Sequence, residues 1–262
     1  MSIIARTYNP DKIFGMLLVV QYSFGSIGIF AVPRMVEAFG NGAVFGALII
    51  FTIMAISILP FVPNVAKSNK ELSSSNIFNI SIGKFLFLAL VSLFLFQAAN
   101  MGVADYAFEL GKDIGLENNK ISNILTIANI ISISGGALVY LIGTKYGRTL
   151  PLIIGISTSA IFTFLLHYSD NVSIYFIANT FTGIAWGFTI PYILGLCSSF
   201  DTHGQMAALA GFISKMGLAT GPLIGSLFII NSGINFIINI AVVSLCISLI
   251  AVWLSSRATE EN

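Results

Sequence analysis

Eight apolar runs, each about the length needed to cross a bilayer, dominate this sequence. They occupy residues 13–32, 43–62, 85–106, 121–143, 150–168, 172–197, 206–230 and 235–255, separated by charges or turn residues. A hydrocarbon core ~30 Å thick takes roughly 20 helical residues at ~1.5 Å rise. Inside that core every backbone polar group needs a partner within the chain, so a continuous apolar run of this length must be helical. A membrane β-barrel needs segments of ~10 residues that alternate polar and apolar, and these runs do not alternate. The expected fold class is all-α: a polytopic membrane bundle of eight transmembrane helices.

Composition closes off the other classes. Of the 262 residues, 56% are hydrophobic and only 9% charged. A soluble domain carries ~25% charged residues to clothe its surface. Lys plus Arg number 12 and Asp plus Glu 11, so there is no basic surplus for nucleic acid. Cys197 and Cys246 lie inside apolar runs and read as buried small hydrophobes. His167 and His203 are isolated, and no metal-ligand spacing occurs. Hydrolase-elbow and nucleotide-binding patterns are absent as well, so neither an enzyme nor a cofactor is expected.

Charge placement gives the expected topology. With the N-terminus inside, the cytoplasmic side carries Arg6, Lys12, Lys67, Lys70, Lys84, Lys145, Arg148 and Arg257. The outer side carries Arg34, Lys112 and Lys120. That bias places both termini in the cytoplasm, in a cell membrane. The longest loop contains Lys67, Lys70, Glu71 and three consecutive serines, Ser73, Ser74 and Ser75. The expected division is therefore two helices in 1–63, a cytoplasmic linker at 64–84, a six-helix bundle at 85–256 and a tail at 257–262.

The strongest local motif is Gly143-Thr144-Lys145-Tyr146-Gly147-Arg148-Thr149-Leu150. Read alone, it is a tight basic turn whose cations either cap neighbouring helix ends or follow the positive-inside rule. It resembles the signature between the second and third helices of each half of the major facilitator superfamily, G-x-L-a-D-R-x-G-R-R-x-x-L. Lys145, Gly147, Arg148 and Leu152 fall on matching positions. Thr144 stands at the Asp position, Tyr140 at the first Gly and Thr149 at the last basic residue. In the family the Asp and Arg form an interdomain lock, and the missing Asp weakens that role here. The segment Asp201-Thr202-His203-Gly204-Gln205, followed by Gly217, Gly221 and Gly225, is similar to the family's eleventh helix, with Gln205 where an Arg is usual.

The resemblance implies helices five to twelve of a twelve-helix carrier, with partner helices (four at the N-terminus, or another subunit) completing the bundle. It also implies a substrate site near the bilayer midplane between two halves. The expected activity is secondary transport of a small organic solute by alternating access, coupled to an ion or proton. The competing expectation is a membrane partner or remnant that does not transport.

Polar residues inside the runs supply the expected site, because burying them in hydrocarbon is costly. Lys215 lies ten residues inward from Gln205, about 15 Å deep. With Gln21, Gln97, Asn100 and Asn129 it is expected to ring a central cavity, with Trp186 as an aromatic wall. Each amide reads equally as an interhelical hydrogen bond. Asp105 and Glu109, four apart, read either as an outer gate or proton site on one helix face or as a hydrated helix end. Lys145, Gly147, Arg148 and Asp201 complete the expected gating set. Glycines at 25 and 28, at 183 and 187, and at 217, 221 and 225 read as close-packing faces.

Overall fold

The computed structural model describes residues 10–58, 60, 83–200 and 205–260. The helices are α1 (Pro10–Phe39), α2 (Gly42–Ile58), α3 (Lys84–Ala104), α4 (Ala107–Asp113), α5 (Asn118–Ile142), α6 (Thr149–Leu165), α7 (Val172–Ser198) and α8 (Gln205–Glu260). A short 3-10 turn, Leu166–Tyr168, follows α6. The protein is an all-helical membrane bundle. Among the described residues six stretches are long and apolar enough to cross a membrane, and the last of them spans 55 residues. That last stretch is interrupted at Gly233, whose φ of 71° and ψ of 175° are not helical. It is therefore two crossings, called here α8a (205–232) and α8b (234–260). The apolar helix Gly42–Ile58 is slightly shorter than the others. Together these make eight apolar segments, close to the expected runs. The expected linker at 64–84 lies almost wholly outside the described residues.

The core is built around α7, which packs against α1, α3, α5, α6 and α8. The most extensive contact joins α3 to α8, and the next joins α1 to α5. Both are close backbone contacts permitted by glycine. A Cβ on Gly221 would run into the Ala98 carbonyl oxygen of α3, and one on Gly217 would lie 2.6 Å from the Phe94 oxygen. Gly15 of α1 and Gly136 of α5 face each other, and a Cβ on either would meet the other's carbonyl oxygen at 2.9 and 2.8 Å. With no hydrophobic drive between helices in lipid, such close approach supplies the dispersion contact that holds them. Buried polar pairs add to it. Ser92 of α3 and Ser248 of α8b exchange hydroxyl-to-carbonyl bonds at 2.9 Å.

The outward faces are apolar, as a lipid-facing surface requires. Phe45 is 69% exposed, Leu141 74% and Ile230 89%. Helix α2 buries none of its residues, and its main contact is α1. Cys197 is buried but Cys246 is exposed, which corrects the expectation for the second cysteine: it sits on an outward face of α8b.

Two glycines shape the turn between α5 and α6. Gly143, at φ 55°, ends α5, and Gly147, at φ 69°, immediately precedes Arg148, the N-cap residue of α6. These positive φ values are open to glycine and costly for other residues. The turn thereby aims Arg148 back at the bundle.

Candidate functional site

Arg148 meets a carboxylate that its own loop lacks. Its Nε and Nη2 donate to Oδ1 and Oδ2 of Asp11 at 3.1 and 3.0 Å. This is the planar two-bond pairing that a guanidinium makes best. Asp11 is 2% exposed and lies in the first turn of α1, where the helix dipole also favours a negative charge. The carboxylate lies against α7, where a Cβ on Gly195 would collide with Oδ1. The absence of an Asp from the signature is thus offset by one from α1, 137 residues away. Neighbouring Lys12 packs its side chain on Gly143 and places Nζ 5.7 Å from the Tyr140 ring centre. Lys145 is exposed, its Nζ 5.4 Å from the centre of the Tyr146 ring.

The far end of α1 is held separately. Arg34 donates to the Asn123 side-chain oxygen at 2.7 Å and to Ser122 Oγ at 3.4 Å. Ser122 Oγ donates in turn to the Ile29 carbonyl at 2.8 Å. Helix α1 is therefore tied to α5 at one end and to the α5–α6 turn at the other.

Between these ties lies a cavity of about 380 Å³. Gln21 and Tyr22 of α1, Asn100 of α3, Asn129 and Ser132 of α5, and Asn179, Thr182 and Trp186 of α7 supply its polar and aromatic lining. Among the described residues no charged side chain lines it. A pocket of ~300–1,000 Å³ with a few placed polar groups on an apolar wall suits a small molecule. Asn129 donates to the Tyr22 carbonyl at 3.2 Å and to Ser26 Oγ at 3.0 Å, tying α5 to α1. Asn100 donates to the Phe96 carbonyl and accepts from Ser159 of α6, both at 2.8 Å. Tyr22 donates to the Gly183 carbonyl of α7 at 2.6 Å and meets Trp186 edge to face, with centroids 5.5 Å apart. Gln21 is exposed to the cavity and has no side-chain hydrogen bond among the described residues.

Four of the expected substrate residues therefore meet at one cavity: Gln21, Asn100, Asn129 and Trp186. Gln97 does not line it. It is 2% exposed and sits behind Trp186, whose indole N–H donates to its oxygen at 2.7 Å. Lys215 does not line it either. It is exposed on α8a and has no hydrogen bond or ion pair among the described residues. Asp105 and Glu109 do not share an unbroken helix. The chain turns at Asp105 and Tyr106, so Asp105 closes α3 while Glu109 lies in α4 and pairs with Lys112 at 3.1 Å. Asp201 lies outside the described residues.

Sequence reasoning missed Asp11, because it precedes the first apolar run and reads as a polar terminus. It missed Tyr22, whose phenol looks like any other aromatic inside a span. Asn179 was legible, since it is an amide seven residues into its run, by the same logic that marked Asn129.

An all-helical bundle that crosses the membrane and holds a mostly apolar cavity with several uncharged polar groups has the build of a membrane carrier. The profile of the family described as sugar (and other) transporter matches residues 88–257, about two thirds of the chain. The chain belongs to that family, within the major facilitator superfamily, and is an integral membrane protein of transporter type. No curated protein matches it.

Proposed function

We propose that the chain forms the substrate-binding bundle of a secondary transporter for a neutral, polyhydroxylated solute of the sugar class, moved by alternating access. The observation that carries this reading is the cavity's lining: amides, hydroxyls and an indole set on a mostly apolar wall, with no charged side chain among the described residues. Amides and hydroxyls both donate and accept, as a ring of sugar hydroxyls demands. The indole offers a flat apolar face for the sugar's C–H side. An ionic solute would leave its charge uncompensated there.

In this reading, Asp11 with Arg148 is the latch at the cytoplasmic end, with both chain termini on that side. Lys145 and Gly147 shape the latch loop, and Asp105, Glu109 and Asp201 serve gating or ion or proton coupling. Helices α1 and α2 close a first half, and residues 85–256 form the second. Lys215 faces the helices or subunit that complete the carrier and acts there on substrate or partner. Lys215→Ala in the complete carrier then abolishes uptake while leaving the protein folded; unchanged uptake removes Lys215 from the mechanism.

The cavity itself is tested by fluorescence. The chain has two tryptophans, so Trp253→Phe leaves Trp186 as sole reporter. Neutral hexoses and pentoses should change its emission saturably, and sugar phosphates should not. A response to charged solutes alone overturns the reading.

A further inference from the structure

Behind the cavity wall, one buried amide joins three helices. Trp186 of α7 bounds the cavity and donates its indole N–H to the Gln97 side-chain oxygen of α3 at 2.7 Å. The Gln97 amide nitrogen donates to Ser214 Oγ of α8a at 2.6 Å. Gln97 is 2% exposed and Ser214 4%, so neither has water as a substitute partner. The base of the Gln97 side chain is also confined, since a Cβ on Gly217 of α8a would lie 2.8 Å from the Gln97 Cβ. Trp186 is also bounded by the Tyr22 ring, packed edge to face with centroids 5.5 Å apart. The indole therefore cannot move without straining or breaking its bond to Gln97. Gln97 in turn cannot rotate without leaving Ser214 or the indole unpaired in the core, which is costly in a medium without water.

We propose that Gln97 is a positioning residue: it sets the Trp186 indole against the cavity and transmits a displacement of that indole to α8a through Ser214. The inference rests on the reading of the cavity as a solute site for its purpose, but not for its mechanics. A solute that shifts the indole would move α8a, the helix whose next residue, Lys215, lies on the exposed face. No ligand contact by Gln97 is involved. The coupling runs through a continuous set of hydrogen bonds with identifiable end points.

The mechanics are tested on the whole chain in lipid nanodiscs, without solute. Nitroxide labels at Met216→Cys on α8a and Ile130→Cys on α5 are placed in a Cys246→Ser background. Both positions are exposed, and the remaining Cys197 is buried. The distance distribution between the labels reports α8a. Trp186→Phe and Ser214→Ala should shift it in the same direction, and the double variant should shift it no further, because both cut one chain of bonds. Gln97→Glu, buried without a counter-charge, takes the neutral carboxyl form, whose carbonyl accepts from the indole and whose O–H donates to Ser214 Oγ, and should keep the wild-type distribution; Gln97→Leu should not. Asn179→Leu alters the same cavity outside the relay and should leave the distance unchanged. An unmoved distance in Trp186→Phe or Ser214→Ala, additive shifts, or an equal shift in Asn179→Leu overturns the relay. Glucose titrated onto the Trp253→Phe protein tests the cavity separately. A glucose response that moves Trp186 emission and the wild-type label distance, but not the distance in Ser214→Ala, supports transmission. An unchanged emission counts against the cavity reading alone.

Discussion

Arg148 and Asp11 show how much one pairing can carry. Removing one partner of a buried ion pair leaves the other charge uncompensated, at a cost of ~3–5 kcal/mol. Arg148 keeps some solvent contact while Asp11 keeps almost none, so the penalty falls on the carboxylate. Arg148→Ala should therefore lower stability by about 3 kcal/mol, read from thermal or denaturant unfolding in micelles. Arg148→Lys should recover only part of that, because an ammonium cannot reproduce the two parallel bonds. Full recovery by Lys would mean that charge alone matters there. Gly195→Ala attacks the same pair from behind, since the methyl would occupy the space of the Asp11 oxygen. Its effect should be non-additive with Arg148→Ala, because both act on one contact. An additive result would show that Gly195 acts through helix packing instead.

At the level of helices, glycine position separates packing from decoration. Gly28 and Gly221 both lie in apolar helices, yet a Cβ on Gly28 meets nothing within 4 Å while one on Gly221 meets the α3 backbone. Gly28→Ala should be neutral or slightly stabilising by helix propensity, and Gly221→Ala should cost about 1–3 kcal/mol through forced separation of α3 and α8. Equal effects in an unfolding assay would contradict that assignment. Helix α1 behaves as a strap fixed at both ends. Arg34→Ala removes the bonds to Asn123 and Ser122 at one end only. Amide exchange should then rise over 29–37 while residues near Asp11 stay protected, since opening is local where contacts are few. Spreading of exchange along the whole helix would show that the two ends are not independent. The helices were largely legible in the sequence, because each must satisfy its own backbone in lipid. The break at Asp105 and Tyr106 was not: the apolar run continues through Tyr106, and only packing of Tyr106 on Gly225 and its bond to the Pro222 carbonyl mark it.

In the whole molecule, the cavity exists because α1, α3, α5 and α7 meet around it, with Ala107, Leu166 and Leu218 of neighbouring elements completing its wall. Asn179→Leu should reduce neutral-sugar affinity about tenfold, equivalent to ~1.4 kcal/mol, while stability changes by less than ~1 kcal/mol. Equal loss of both would mean that Asn179 serves packing rather than solute. Four of six expected substrate residues converge on this cavity, three of them (Gln21, Asn100 and Asn129) amides, which turn inward because they are expensive in hydrocarbon. Gln97 turns inward too, but toward another side chain, and inward direction does not distinguish a cavity from a neighbouring helix. Lys215 was expected inside for the same reason and is exposed instead, because α8a presents Gly217 and Gly221 to α3 and its register turns residue 215 away. The sequence alone determined that this is an all-helical membrane protein and where most helices run, since the cost of unpaired backbone and charge in hydrocarbon is a local property of each segment. Only the tertiary structure decided that Asp11 supplies the partner of Arg148, and which amides share a cavity. Those facts depend on contacts between segments as many as 161 residues apart, and no local pattern encodes which faces will meet.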